Sequence, residues 1–210
     1  MEYSFKPTNW LTVVKEFASL IGTKVSDEGR LELPVGIANG FVRAGSCNEE
    51  FHFILINGKM NQSFTFNRMM SAAPRSFLLI YIEVFAPQKL SITDSDNKVY
   101  DGLEKMHTVL FTSTDHSRSV TFNTGAIVKM VGLQLTENWL NNQLNEGARK
   151  MVEKAAAAPI DVQLTHIMQN DVSRLVNEIF ELEQFHPAFR NTQENRLFIL
   201  CENFFKSLEE

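Results

Sequence analysis

Along this chain apolar residues alternate with polar ones up to residue 135 and recur at spacings of three and four thereafter, so the pattern changes from strand to helix at a single join. The join is the β-branched run Ile127 to Leu135 followed by Thr136-Glu-Asn-Trp-Leu. One helix stands before the strands. Thr8 is placed to cap it, Trp10, Val14, Phe17 and Ile21 fall on one face, and Gly22 is placed to end it. No polar group on this helix is arranged for chemistry, so it reads as a packing element over residues 1–23.

Strand signals then come quickly. Leu31, Leu33 and Val35 alternate, and 37–44 is small and extended. Residues 51–56 and 59–66 flank Asn57-Gly58, a dipeptide suited to a two-residue hairpin turn. That turn sets a register in which Phe51, Phe53, Leu55, Met60, Gln62 and Phe64 share one side, while His52, Ile54, Ile56, Lys59, Asn61 and Ser63 share the other. The first side is the expected interior, with Gln62 as its single polar group. Ser76 to Phe85 is nearly continuously apolar and reads as a strand covered on both faces. Shorter strands are expected at 89–92, 107–112 and 119–122, with turns at 94–97 and 113–116. Short strands at this spacing predict a sandwich or barrel over 24–135.

After the join, Thr136 caps a short helix holding Trp139, Leu140 and Leu144, and a second helix spans 146–157. A third carries Leu164, Ile167, Met168, Val172, Leu175, Val176, Ile179 and Phe180 until His186-Pro187 breaks it. Asn191 and Glu194 then form a capping box for a last helix with Leu197, Leu200, Cys201, Phe204, Phe205 and Leu208 on one stripe. The stripes exceed what one barrel face is expected to cover. A homodimer through Val172, Leu175, Val176 and Ile179 is therefore expected, against the competing arrangement in which both stripes pack within one chain.

Composition narrows the function. With 210 residues, 44% of them hydrophobic, the chain can bury a full core. A formal charge of −5 argues against these residues gripping a phosphate backbone themselves. Cys47 and Cys201 are far apart and make no metal spacing, free thiols suit a reducing compartment, and no apolar run is long enough for a membrane helix, so a cytoplasmic protein is expected.

Enzyme signatures are missing. There is no Gly-x-Ser-x-Gly, phosphate loop, CxxC or HExxH, and Asp94 and Asp96 sit in a Ser/Asn-rich turn. A metal-binding barrel would need a second imidazole two residues after His52, and Ile54 stands there instead. No metal, cofactor or catalytic group is expected. The face of Phe53, Leu55, Met60 and Phe64 reads either as filled core or as a ligand cavity, in which Gln62 and Tyr81 would be the polar contacts.

Three segments carry a resemblance: Phe51-His-Phe-Ile-Leu-Ile-Asn-Gly58, Val131-Gly-Leu-Gln-Leu-Thr-Glu-Asn-Trp-Leu140, and Asn195-Arg-Leu-Phe-Ile-Leu-Cys-Glu-Asn-Phe-Phe-Lys-Ser-Leu208. In this order they resemble the N-terminal regulatory half of an AraC/XylS-family transcription regulator. The resemblance implies an α+β fold, a cupin-like β-barrel (double-stranded β-helix) followed by a C-terminal helical hairpin. It also implies an effector-binding barrel at 24–135, a linker and dimerisation element at 136–210, and DNA contact only through a domain beyond residue 210. The effector contacts expected on this basis are Phe53, Leu55, Met60, Gln62, Phe64 and Tyr81. The alternative is a stand-alone, metal-free cupin-like small-molecule binder or isomerase.

Overall fold

A computed structural model describes residues 1–71, 75–85, 90–93, 99–100, 107–157, 169–183 and 190–207. The chain opens with strand β1 (Glu2–Phe5) and helix α1 (Trp10–Leu20). Strands β2 (Arg30–Glu32), β3 (Ala38–Ser46), β4 (Phe51–Met60), β5 (Phe64–Arg68) and β6 (Ser76–Phe85) follow. Then come β7 (Leu90–Thr93), β8 (Val99–Tyr100), β9 (His107–Ser113), β10 (Arg118–Phe122) and β11 (Ile127–Thr136). Four helices complete the order: α2 (Glu137–Gln143), α3 (Glu146–Ala157), α4 (Gln169–Glu183) and α5 (Arg190–Ser207). Leu164, Ile167 and Met168, the His186-Pro187 break and the turn at 94–97 lie outside the described residues.

Two sheets form the body, one ordered β1-β5-β10-β7-β8 and the other β2-β3-β4-β11-β6-β9. The inner faces of both contribute to one apolar cluster that includes Phe64 and Phe122 from the first sheet and Ile54, Ile56, Leu78 and Val128 from the second. This two-sheet body is a cupin-like barrel, and the C-terminal helices lie outside it.

The second sheet is buried on both faces, and strict alternation separates two cores. From β4, β6 and β11, the residues Phe51, Phe53, Leu55, Phe77, Leu79, Tyr81, Val131, Leu133 and Leu135 join a cluster with Val172, Leu175, Val176, Ile179, Leu197, Leu200 and Phe204 of the helices. Their neighbours Ile54, Ile56, Leu78, Ile82 and Val128 face the barrel. The apolar run at 76–85 is continuous because each residue has a core to enter.

The hairpin expected at Asn57-Gly58 does not exist. β4 runs straight through both residues, with β3 on one side (Gly40 opposite Gly58) and β11 on the other (Val128 opposite Gly58). A central strand has both backbone edges satisfied, and this tertiary pairing overrides the local turn preference. Glycine serves close approach here: a Cβ on Gly40 would lie 2.0 Å from the Asn57 carbonyl oxygen, and one on Gly58 would lie 2.9 Å from that of Asn39. The chain turns only at 61–63 and then enters the other sheet.

Caps follow the same logic. Thr136 accepts from the Trp139 amide at 3.1 Å and starts α2, as its position predicts. At α1 the cap is Asn9, not Thr8: Asn9 Oδ1 accepts from the Thr12 amide at 2.8 Å. Gly22, at φ +71°, follows the helix end as expected.

Candidate functional site

The barrel interior is the candidate site. Its cavity leaves about 60 Å³ open to the centre of a water-sized sphere, room for a few waters or a small ligand. Wall residues come from both sheets and from the N-terminal segment, whose Trp10, Val13, Val14 and Phe17 enter it from α1. α1 reaches inward because its apolar face has the cluster of Phe64 and Val42 to cover. Phe17 meets Phe64 edge-on with ring centroids 5.4 Å apart. A Cβ on Gly132 would meet Ile54 Cγ2 at 2.7 Å and Trp10 Cζ2 at 3.8 Å, so the bare β11 backbone is what lets Ile54 and Trp10 lie over it.

The lining is apolar except for Tyr3, Trp10, Arg68 and Arg118. The two arginines are directly opposed on antiparallel β5 and β10, and both are buried, 5% and 8% exposed. They share the inward phase with Phe66, Val120 and Phe122, which also line the cavity. Arg68 Nη2 donates to the His116 carbonyl at 3.0 Å and to Thr112 Oγ1 at 3.3 Å. Tyr3 donates its hydroxyl to the Val13 carbonyl at 2.9 Å, and burial with the nearby Glu16 charge pushes its pKa up to about 12. Trp10 Nε1 is a buried N–H with no hydrogen-bond partner among the described residues. Gln134 Nε2 donates to the Thr8 carbonyl at 2.5 Å and to Ser76 Oγ at 3.1 Å, tying the N-terminal segment to β11 and β6.

The six residues expected to surround one cavity are divided between two sides of a sheet. Phe53, Leu55 and Tyr81 belong to the core under the helices, whereas Met60 and Phe64 belong to the barrel core. The division follows from the missing hairpin, since the register that united them depended on a turn at Asn57-Gly58. Gln62 is only half-buried and lies 4.0 Å from Met1 Sδ at an exposed site, so it is not a polar group set among aromatics. Tyr81 donates its hydroxyl to the Leu200 carbonyl at 3.0 Å, and complete burial raises its pKa well above the ordinary value. Its partner is α5, not a ligand.

The stripe Val172, Leu175, Val176 and Ile179 is likewise covered within the chain, at 7%, 3%, 4% and 0% exposure. Polar contacts fix the helices to the same sheet. Ser173 donates to Glu83 Oε1 at 3.2 Å, Lys129 Nζ to Asn177 Oδ1 at 2.5 Å, and Arg43 Nη1 to Gln193 Oε1 at 2.9 Å. Gln193 passes the link on to the Ile179 carbonyl at 3.2 Å. One sheet face suffices for both stripes because its strands present side chains across their full length.

His52 sits at the start of β4, and its Nε2 lies 3.1 Å from the Glu49 carbonyl. Desolvation lowers its pKa, partly offset by that hydrogen bond. Ile54 belongs to the barrel core where a second imidazole would stand. Among the described residues no three of His, Cys, Asp and Glu come together as a metal site.

The sequence reading missed Arg68, Arg118 and Trp10. A signal existed in the alternation of Phe64-Thr-Phe-Asn-Arg68 and Arg118-Ser-Val-Thr-Phe122, where each arginine has the phase of the aromatics.

The two-sheet body with its lined interior is a cupin-like fold. No family model matches the sequence. No curated protein matches it either. Among solved structures, the AraC-like transcriptional activator CuxR superposes with a TM-score of 0.52 at 10% identity, over 85% of this chain and 60% of CuxR. The chain thus spans about 60% of that activator's length. The EutQ protein of Clostridium difficile aligns over 60% of this chain and 82% of its own at 13% identity, with a TM-score of 0.32. A Bacillus subtilis oxalate decarboxylase variant aligns over 57% and 32% at 8% identity, with a TM-score of 0.28. Among the described residues no helix is long and apolar enough to cross a membrane.

Proposed function

We infer that this chain is the effector-sensing and dimerisation part of an AraC-like transcriptional regulator, acting on a DNA-binding domain that follows residue 210. The observation that carries this is the shared wall: β4, β6 and β11 line the barrel with one face and hold α4 and α5 with the other. A ligand that changes the packing of Ile54, Ile56 or Leu78 therefore acts on the strands that carry Phe53, Leu55 and Tyr81. Its differential affinity for two helix arrangements would shift their populations, and with them the spacing of paired DNA-binding domains. The superposition on CuxR supports the same reading. Pairing of two copies uses a surface other than the Val172 to Ile179 stripe, which the sheet already covers.

The cavity favours binding over catalysis. Its titratable hydroxyl, Tyr3, is committed to Val13 and holds its proton up to about pH 12, which suits neither a general base nor an acid near neutrality. The decisive experiment is in two parts. The reading frame past residue 210 should encode a basic, helix-rich domain with two helix-turn-helix patterns. In a promoter reporter, filling the barrel with Val42→Trp should change or lock the response while the protein remains folded and dimeric. A stop codon at residue 211, or a reporter indifferent to Val42→Trp, would overturn the reading.

A further inference from the structure

We propose that the barrel interior takes a small, uncharged, apolar molecule with one hydrogen-bond-accepting oxygen, a ketone, ester or ether, and that the Trp10 indole N–H donates to that oxygen. This rests on the sensing reading in one respect, that the effector occupies the barrel interior.

The donor supplies the first observation. Trp10 lines the cavity, is 4% exposed, and buries an indole N–H that no described protein atom accepts. A buried donor without an acceptor is costly and folded interiors keep few of them, so one in a cavity wall marks where an acceptor belongs. Its placement is the second observation. Gln134 ties the Thr8 carbonyl to β11 and β6 two residues before Trp10, and Asn9 caps the helix that Trp10 begins. The indole packs on Phe5 with ring centroids 5.7 Å apart, and its Cζ2, on the N–H edge, comes within 3.8 Å of a Cβ built on Gly132. The donor is thus positioned before any ligand arrives, which lowers the ordering cost of binding.

The third observation is the wall itself. Val14, Val42, Ile54, Ile56, Leu78 and Val120 offer no hydrogen bond from their side chains, so the body of the ligand must be apolar. Tyr3 spends its one hydroxyl proton on the Val13 carbonyl. Arg68 donates to Thr112 and His116, and both it and Arg118 have partners within the protein. A ligand with several hydroxyls would leave most of them unpaired against such a wall, and stripping an ionised group of water costs far more than one indole N–H returns. The free volume, about 60 Å³ for the centre of a water-sized sphere, suits a body on the order of one six-membered ring.

The test uses the 210-residue chain with cyclohexanone, cyclohexane, cyclohexanecarboxylate and cyclohexylammonium, which share a ring and differ in the polar group. The chain has two tryptophans, so a nitrogen-15 spectrum holds two indole N–H signals, told apart by Trp10→Phe and Trp139→Phe. Cyclohexanone should move the Trp10 indole proton downfield as the hydrogen bond forms, and leave that of Trp139, in the core under the helices, in place. Trp10→Phe should lower the affinity for cyclohexanone relative to that for cyclohexane by about fivefold or more, because the carbonyl loses its donor while the ring keeps its wall. The carboxylate and the ammonium compound should each bind about tenfold more weakly than the ketone, or worse. Should Trp10→Phe fail to fold, the indole shift in the unaltered protein still decides. A Trp10 signal indifferent to cyclohexanone, or a ketone-to-cyclohexane ratio unchanged in Trp10→Phe, would overturn the proposal. Tighter binding of the carboxylate or the ammonium compound would overturn the uncharged class while leaving a sensing barrel intact, whereas the regulator reading stands or falls separately on the reporter.

Discussion

The Tyr81 hydroxyl reaches across the seam between barrel and helices to the carbonyl of Leu200, 3.0 Å away and wholly buried. It joins the middle of β6 to the middle of α5, and its neighbours Ile80 and Ile82 face the opposite core. Tyr81→Phe keeps the shape and removes the bond. The expected cost is about 1 kcal/mol in urea unfolding with an unchanged m value. A variant as stable as the parent would show that the hydroxyl only fills space.

Charges on the α4 stripe separate intramolecular from intermolecular burial. Leu175→Glu or Ile179→Glu buries an unpaired carboxylate against the sheet, so each variant should unfold or aggregate rather than persist as a folded monomer. Light scattering together with circular dichroism distinguishes the outcomes. A folded, monomeric Ile179→Glu protein would be incompatible with the packing described.

At the start of α1 two adjacent residues exchange expected roles. Asn9→Ala should cost about 1 kcal/mol, because Oδ1 is the acceptor for the Thr12 amide. Thr8→Ala should be close to neutral, since Thr8 offers its backbone carbonyl to Gln134 and alanine retains it. Thermal melts of the two variants suffice, and the reverse ranking would restore Thr8 as the cap.

Alkaline stability should be set partly by buried phenols. Burial, and secondarily Glu16, push the Tyr3 pKa up to about 12 from an ordinary 10.0, and burial raises that of Tyr81 in the same direction. Above pH 10 the unfolded chain releases these protons while the folded chain retains them. Stability is therefore whole below pH 10 and declines as pH rises from 10 towards 12. Urea unfolding at about pH 8 and about pH 11 should show the decline, and Tyr3→Phe should make it shallower. An identical slope in the variant would assign the loss to other groups.

What the sequence reveals depends on whether a signal is local. The period change at Thr136, the cap there, Gly22 at the end of α1 and the doubly buried run at 76–85 are local or nearly so, and the structure contains each. The strand-rich body followed by helices follows from them. Asn57-Gly58 failed because its meaning depends on distant residues: Gly40 and Val128, both far along the chain, sit against Gly58 and leave no room for a turn. Once that register was lost, Phe53 and Leu55 changed sides and the expected cavity dissolved. Arg68 and Arg118 were hidden for a related reason. A charged residue at an inward phase reads as a strand end until the opposing strand is known, and β5 and β10 lie about fifty residues apart in sequence.

The two-faced sheet also changes what holds the strands in register. A one-residue slip normally exposes an apolar face and buries a polar one, but in β6 it would mostly exchange apolar for apolar. Side-chain shape and a few polar anchors must then discriminate: Phe51, Phe53, Phe77 and Tyr81 fill the helix side together with Leu55 and Leu79, Ser173 holds Glu83 there, and Ile54, Ile56, Leu78 and Ile82 fill the barrel side. Neighbouring codons thus answer to separate demands. A change at Ile80 reshapes the cavity lining, and a change at Tyr81 alters how firmly the helices are held, so the interior and the helix seam can be altered separately one residue apart.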